Sequence, residues 1–141
     1  MLIQQLSVFL ENRSDRLSEV TEILSNQKIN ISALSMAEAS DYSVVRLILS
    51  DSDKAAKALK ERHFAISITS VICFATPNQP GALQQALTLL TQHGIGIEYL
   101  YAFAFNEKAL VALRTDKIEQ SVAVLQSHRL QLLKLNELYE L

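Results

Sequence analysis

One constant offset relates the two halves of this 141-residue chain. Sliding residues 1–75 by 66 positions onto residues 67–141, with no gap, superimposes Asn12 on Asn78, Leu17 on Leu83 and Leu24 on Leu90. The same shift pairs Ile29 with Ile95, Ile31 with Ile97, Leu34 with Leu100, Val45 with Val111, Leu47 with Leu113 and Leu59 with Leu125. The aliphatic pairs report a shared core. The asparagine pair falls in a loop that no core needs, so the repeat singles out Asn12 and Asn78. Copies of roughly 70 residues sit near the lower limit for an independent core, so domains are expected at residues 1–70 and 71–141, each leaning on the other.

Within the first copy, residues 1–10 read as a strand rich in Leu, Ile, Val and Phe. Residues 16–26 carry Leu17, Val20, Ile23 and Leu24 on one helical face, with Ser14 or Asp15 as the expected cap. Residues 29–38 and 42–49 read as strands around a turn, and residues 53–62 as a second helix capped by Ser52 or Asp53. The second copy repeats the order. Pro80 suits the first turn of a helix over 83–93, Gly94 its C-terminal cap, and Asp116 with Glu119 reads as a capping box for a helix running to about His128. Strands are expected at 95–105 and 109–115. Residues 130–135 should close the unit as a strand, although their leucines also allow a helix.

Each copy is therefore β-α-β-β-α-β, an α+β ferredoxin-like unit with an antiparallel sheet and both helices on one face. The junction at residues 64–76 contains no Gly, Pro, Asn or Asp to make a turn. It reads as one strand of about 43 Å at about 3.3 Å per residue, closing the first unit and opening the second.

The formal net charge is −2 and acidic and basic residues are mixed along the chain, so no electrostatic footprint for nucleic acid or anionic lipid is visible. Cys73 is the only cysteine and stands between Ile72 and Phe74, which excludes an intrachain disulfide and a thiolate metal cluster. Gln4, Gln5 and Ser7 interrupt the first ten residues, and no apolar run approaches the ~20 residues needed to span a bilayer. A soluble, cytoplasmic protein with no membrane partner is expected.

Residues 76–83, Thr-Pro-Asn-Gln-Pro-Gly-Ala-Leu, carry the most chemistry. Gly81 permits close approach to the backbone, the first helical turn presents N–H groups at its positive end, and Asn78 offers a donor and an acceptor. That combination suits a small carboxylate. An ordinary strand-to-helix turn, with Asn78 capping the loop, would use the same residues.

The unit order, the N-x-P-G-x-L run at residues 78–83 and the Gly94-Ile95-Gly96-Ile97 approach to the next strand resemble an ACT domain, the regulatory amino-acid-binding module of many biosynthetic enzymes. The matching first-copy loop, Asn12-Arg13-Ser14-Asp15-Arg16-Leu17, lacks the Pro and Gly. The chain resembles stand-alone tandem ACT proteins and, more loosely, the small regulatory subunits of acetolactate synthase.

The resemblance implies an amino acid bound where two such domains pair. The loop asparagine, the residue two before it and the loop backbone would hold its amino and carboxylate groups. An Asn-Ile pair at the start of the partner domain's second strand would complete the site. Carried onto this sequence, one site takes Thr76, Asn78, Gln79, Pro80, Gly81, Ala82 and Leu83 with Asn30 and Ile31. The pseudo-symmetric counterpart, with Leu10 and Asn12 facing Gly96 and Ile97, is expected to be weakened or lost. The implied partners are a free amino acid, a second copy of the chain in a homodimer, and a biosynthetic enzyme or a regulator. A branched-chain ligand fits the looser likeness, while Ser, His or an aromatic amino acid stay open. A ferredoxin-like interaction subunit that binds nothing small shares every core feature and differs only at Thr76, Asn78 and Asn30.

His63, His93 and His128 stand far apart in sequence at expected helix ends, where they complement the dipole rather than bind metal. Tyr99, Tyr101, Phe103 and Phe105 alternate on one strand, so their rings share a face, packing on helices or a second sheet, or forming a binding platform. Basic and glycine residues that an RNA-recognition sheet would need are missing from residues 109–113, which argues against nucleic acid. No Ser/His/Asp set, H-x-x-x-H pair, phosphate loop or carboxylate cluster occurs, so neither catalysis, a metal nor a cofactor is expected.

Overall fold

The computed structural model describes residues 2–13 and 15–139, so Met1 and the candidate cap Ser14 lie outside the described residues. Two compact units divide the chain between Thr69 and Ser70, with the short segment up to Ile3 grouped with the second. The first unit runs β1 (Ile3–Glu11), α1 (Arg16–Asn26), β2 (Ile31–Glu38), β3 (Tyr42–Leu49) and α2 (Ser52–Glu61) into β4 (Ala65–Pro77). From Ser70 the second unit continues with α3 (Ala82–Gln92), β5 (Ile97–Phe105), β6 (Lys108–Thr115), α4 (Ile118–Ser127), β7 (Gln131–Leu132) and a 3₁₀ turn over Leu135–Tyr139. The 13-residue β4 is the unbroken junction strand that the lack of turn residues predicts.

Strand order is β2-β3-β1-β4 in the first unit and β7-β4-β6-β5 in the second, the same antiparallel arrangement twice. Period-two alternation puts Leu6, Val8 and Leu10 of β1 on one face, where they meet Val20, Ile23 and Leu24 of α1 and Ala55 and Leu59 of α2. Ile72 and Phe74 of β4 do the same against Ala86 and Leu90 of α3 and Val124 and Leu125 of α4. Leu6, Leu24, Leu59, Phe74, Leu90 and Leu125 are fully buried. At about 1.5–3 kcal/mol for each large apolar side chain buried, these layers supply the main drive to fold.

Several local expectations are corrected. Asp51, rather than Ser52 or Asp53, caps α2, its carboxylate accepting from Lys54 N–H at 3.0 Å. Asp15 stands at the start of α1 without a side-chain cap bond, because its carboxylate turns to Arg13 at 3.1 Å. The capping box does not form: Lys117 occupies the cap position of α4, and Asp116 is used elsewhere. Pro80 lies before α3 rather than within its first turn, and Gly81 is the cap residue at φ 86°, a left-handed conformation that glycine adopts without strain. The closing strand is only two residues long. Leu133 N–H still donates to Cys73 C=O at 2.8 Å, but Lys134 N–H is captured by the Glu137 carboxylate and the chain winds into the 3₁₀ turn.

The aromatic strand is also corrected. Leu100 of β5 packs on the helix-side core, so Tyr99, Tyr101, Phe103 and Phe105 project from the opposite face and not onto helices. Phe103 and Phe105 are 51% and 53% exposed.

Candidate functional site

Thr76 stands near the end of β4 on the face that carries Ile72 and Phe74, opposite Ala109 in the β4–β6 register. It is 3% exposed, and its hydroxyl Oγ1 is fully buried with no hydrogen-bond partner. Buried hydroxyls are almost always satisfied, and among the described residues this one and Ser32 Oγ are not. The chain then turns: Asn78 N–H donates to Glu107 C=O at 2.8 Å, Gln79 N–H to Pro77 C=O at 3.0 Å and Ala82 N–H to Gln79 C=O at 3.2 Å. No side chain caps α3, so its first turn presents N–H groups outward. A Cβ built on Gly81 meets nothing within 4 Å, so conformation rather than space requires glycine there. Leu83 anchors the far side of the loop in the core.

The repeated asparagine has a structural use in both copies. Asn78 Nδ2 donates to Asn106 C=O at 3.0 Å, and Asn12 Nδ2 donates to Ser40 C=O at 3.5 Å. Residues 40 and 106 are themselves related by the 66-residue offset, so each asparagine ties its loop to the neighbouring hairpin. The oxygens differ. Ser43, 4% exposed, donates its hydroxyl to Asn12 Oδ1 at 2.9 Å, whereas its counterpart is Ala109, and no described residue donates to Asn78 Oδ1. A surface groove of about 460 Å³ lies beside Leu10, Asn12 and Ser43, and one of about 350 Å³ lies beside Thr76, Lys108 and Arg129 without reaching Asn78.

A second internal correspondence lies at the starts of β2 and β5. Asn30 N–H donates to Ser50 Oγ at 2.9 Å, and Ser50 N–H returns a bond to Asn30 C=O at 3.0 Å. In the other copy Gly96 N–H donates to Asp116 Oδ1 at 2.9 Å, and Asp116 N–H returns to Gly96 C=O at 3.0 Å. A Cβ on Gly96 would lie 2.9 Å from Asp116 Oδ2. The larger Asp116 therefore excludes a side chain where the smaller Ser50 admits Asn30. Ile31 and Ile97 follow, 37% and 36% exposed.

Each unit thus gathers its loop residues but not its own strand-start pair. Pro77 pairs with Lys108, which pairs with Phe105 at the hairpin end of β5, while Ile97 pairs with Thr115 at the other end of the sheet. In the first unit Leu10 pairs with Ser43 beside Glu38, and Ile31 lies at the far end against Leu49. Sequence reasoning missed Ser43, Ser50 and Asp116. Comparing positions 43 with 109 and 50 with 116 across the repeat was the available signal.

The histidines act as expected at helix ends, His93 Nδ1 bonding Leu89 C=O at 2.8 Å and His128 Nδ1 bonding Val124 C=O at 3.0 Å. Their rings, distant in sequence, meet edge-on with centroids 6.2 Å apart. Among the described residues, no three His, Cys, Asp or Glu side chains are grouped to hold a metal ion. No helix among them is long and apolar enough to cross a membrane. Burial pushes the Cys73 thiol up to about 12.

Comparison with known proteins follows from this geometry. The family model described as an ACT domain pair matches residues 1–141. A solved protein from Bacteroides thetaiotaomicron is 48% identical, with a TM-score of 0.95 over 100% of this chain and 98% of that one. The ligand-free regulatory subunit of aspartate kinase from Thermus thermophilus is 11% identical, with a TM-score of 0.64 over 89% of this chain and 93% of that one. A structure of aspartokinase alpha and beta subunits is 14% identical, with a TM-score of 0.59 over 89% of this chain and 95% of that one. The last two likenesses speak to the fold alone. No curated protein matches the chain.

Proposed function

Because the chain belongs to the ACT domain pair family, we propose that it is a non-catalytic regulatory protein that binds a free amino acid at residues 76–83 and acts on amino-acid metabolism. The observation that carries this reading is the unpaired buried hydroxyl of Thr76 two residues before Asn78, whose exposed Oδ1 accepts from no described residue. A ligand ammonium donates to the exposed asparagine oxygen. The ligand carboxylate meets the uncapped first turn of α3, where the helix dipole favours an anion.

In this reading Asn30 and Ile31 are the strand start that a paired domain supplies, since a unit's own strand start lies at the far end of its sheet from its loop. One good site per chain follows, the counterpart with Leu10, Asn12, Gly96 and Ile97 being weakened or lost. A thermal-shift screen against the twenty amino acids tests it. A ligand at 100 times its Kd stabilises the fold by about 2.7 kcal/mol, and a flat response across all twenty contradicts the reading.

One observation favours the rival, an interaction subunit that takes no small ligand. The edge strands carry exposed apolar side chains, Leu34 at 41% and Met36 at 49% on β2 and Phe103 and Phe105 on β5. Such edges suit pairing with a second copy of the chain or with an enzyme or regulator. Amino-acid binding and homodimer formation are compatible, so the ligand screen, and not the oligomeric state, separates the two readings.

A further inference from the structure

We propose that the residue facing the loop asparagine, Ser43 in one copy and Ala109 in the other, decides which copy holds a ligand. The inference rests on the amino-acid reading above. Two features do not distinguish the copies. Both following helices begin without a side-chain cap, so first-turn N–H groups are presented in each. Both asparagines spend an N–H on the hairpin carbonyl.

What differs is whether polar atoms are already satisfied. In the first copy the strand residue is Leu10, which needs no partner, and Ser43 closes the oxygen of Asn12 at 2.9 Å. In the second copy the methyl group of Ala109 donates nothing. Asn78 Oδ1 is left open, and Thr76, the register partner of Ala109, keeps its buried hydroxyl unpaired. Ala109 is the register partner of Thr76 as Ser43 is of Leu10, so by the 66-residue offset it occupies the position from which Ser43 reaches Asn12. A donor from the ligand restores there what Ser43 supplies internally to the first copy. A protein donor at position 109 competes with the ligand for the same oxygen, since the amide carbonyl of asparagine is the sole acceptor on that side chain.

Ala109→Ser tests this directly. Its hydroxyl should donate to Asn78 Oδ1 as Ser43 does to Asn12, weakening the amino acid that the wild-type protein binds by about tenfold or more, with no fall in ligand-free melting temperature. Ala109→Cys brings similar bulk with only a weak donor and should keep affinity within about threefold. If Ala109→Ser does not fold, Ala109→Thr supplies the same donor with a strand-favouring branch. Wild-type binding of an amino acid with unchanged affinity in the folded hydroxyl variant overturns the inference and leaves the amino-acid reading intact. Equal losses in the Ser and Cys variants overturn it in favour of crowding. Wild-type protein that binds none of the twenty amino acids overturns both.

Discussion

Replacing Thr76 by valine should make the ligand-free protein more stable and abolish its response to ligand. The two side chains are nearly the same shape, so the substitution removes a hydroxyl that is fully buried and unpaired and leaves the packing in place. Burying an unsatisfied hydroxyl costs about 1–3 kcal/mol, and valine recovers that cost while favouring the strand. For a chain of 141 residues, about 3–4 °C of melting temperature accompanies each kcal/mol, so the expected rise is about 3–12 °C. Differential scanning calorimetry without ligand reads the first effect, and repetition with the amino acid found in the screen reads the second. A variant that melts lower than wild type refutes the reasoning, because the hydroxyl would then have a partner whose loss is felt. A variant that melts higher but responds fully to ligand refutes the assignment of Thr76 to the site.

Other substitutions probe the frame that holds the loop. Gly96→Ala should destabilise by about 1 kcal/mol in urea denaturation through its clash with Asp116, and the double change Gly96→Ala with Asp116→Ser should recover most of it by recreating at 96 and 116 the pairing that Asn30 makes with Ser50. Asp51→Ala removes the cap of α2 and should cost about 1 kcal/mol in the same assay, whereas Asp53→Ala, a cap candidate from sequence, should cost less. Cys73 should resist thiol reagents at pH 8 in the folded protein and react only on unfolding. Its folded pKa is raised from 9.0 to about 12, so the stability its neutral thiol contributes is complete below pH 9 and lost as pH rises toward 12.

The fold was readable because its signals are local or periodic. The absence of turn formers between residues 64 and 76 forced one strand, and the aliphatic repeat forced two like units. Caps were misread where a short polar side chain had a better partner far along the chain: Asp116 serves Gly96, 20 residues away, rather than its own helix. The asparagine repeat was legible as a signal but not as a cause. Its bond to the hairpin spans 28 residues, and no spacing rule reveals such a contact. The closed state of Asn12 was hidden for the same reason, since Ser43 lies 31 residues on. Alternation placed the four aromatics on one face correctly, yet which face met the helices depended on Leu100 and the register with β6.

The central claim is one amino-acid site per chain, held by Asn78 and not by Asn12. Isothermal titration of wild type, Asn78→Ala and Asn12→Ala with the amino acid that gives the largest thermal shift tests it most directly. The account predicts one molecule bound per wild-type chain, none detectable in Asn78→Ala, and affinity retained in Asn12→Ala despite a lower melting temperature from the lost hairpin bond. Two molecules per chain, or equal loss of binding in both variants, contradicts it.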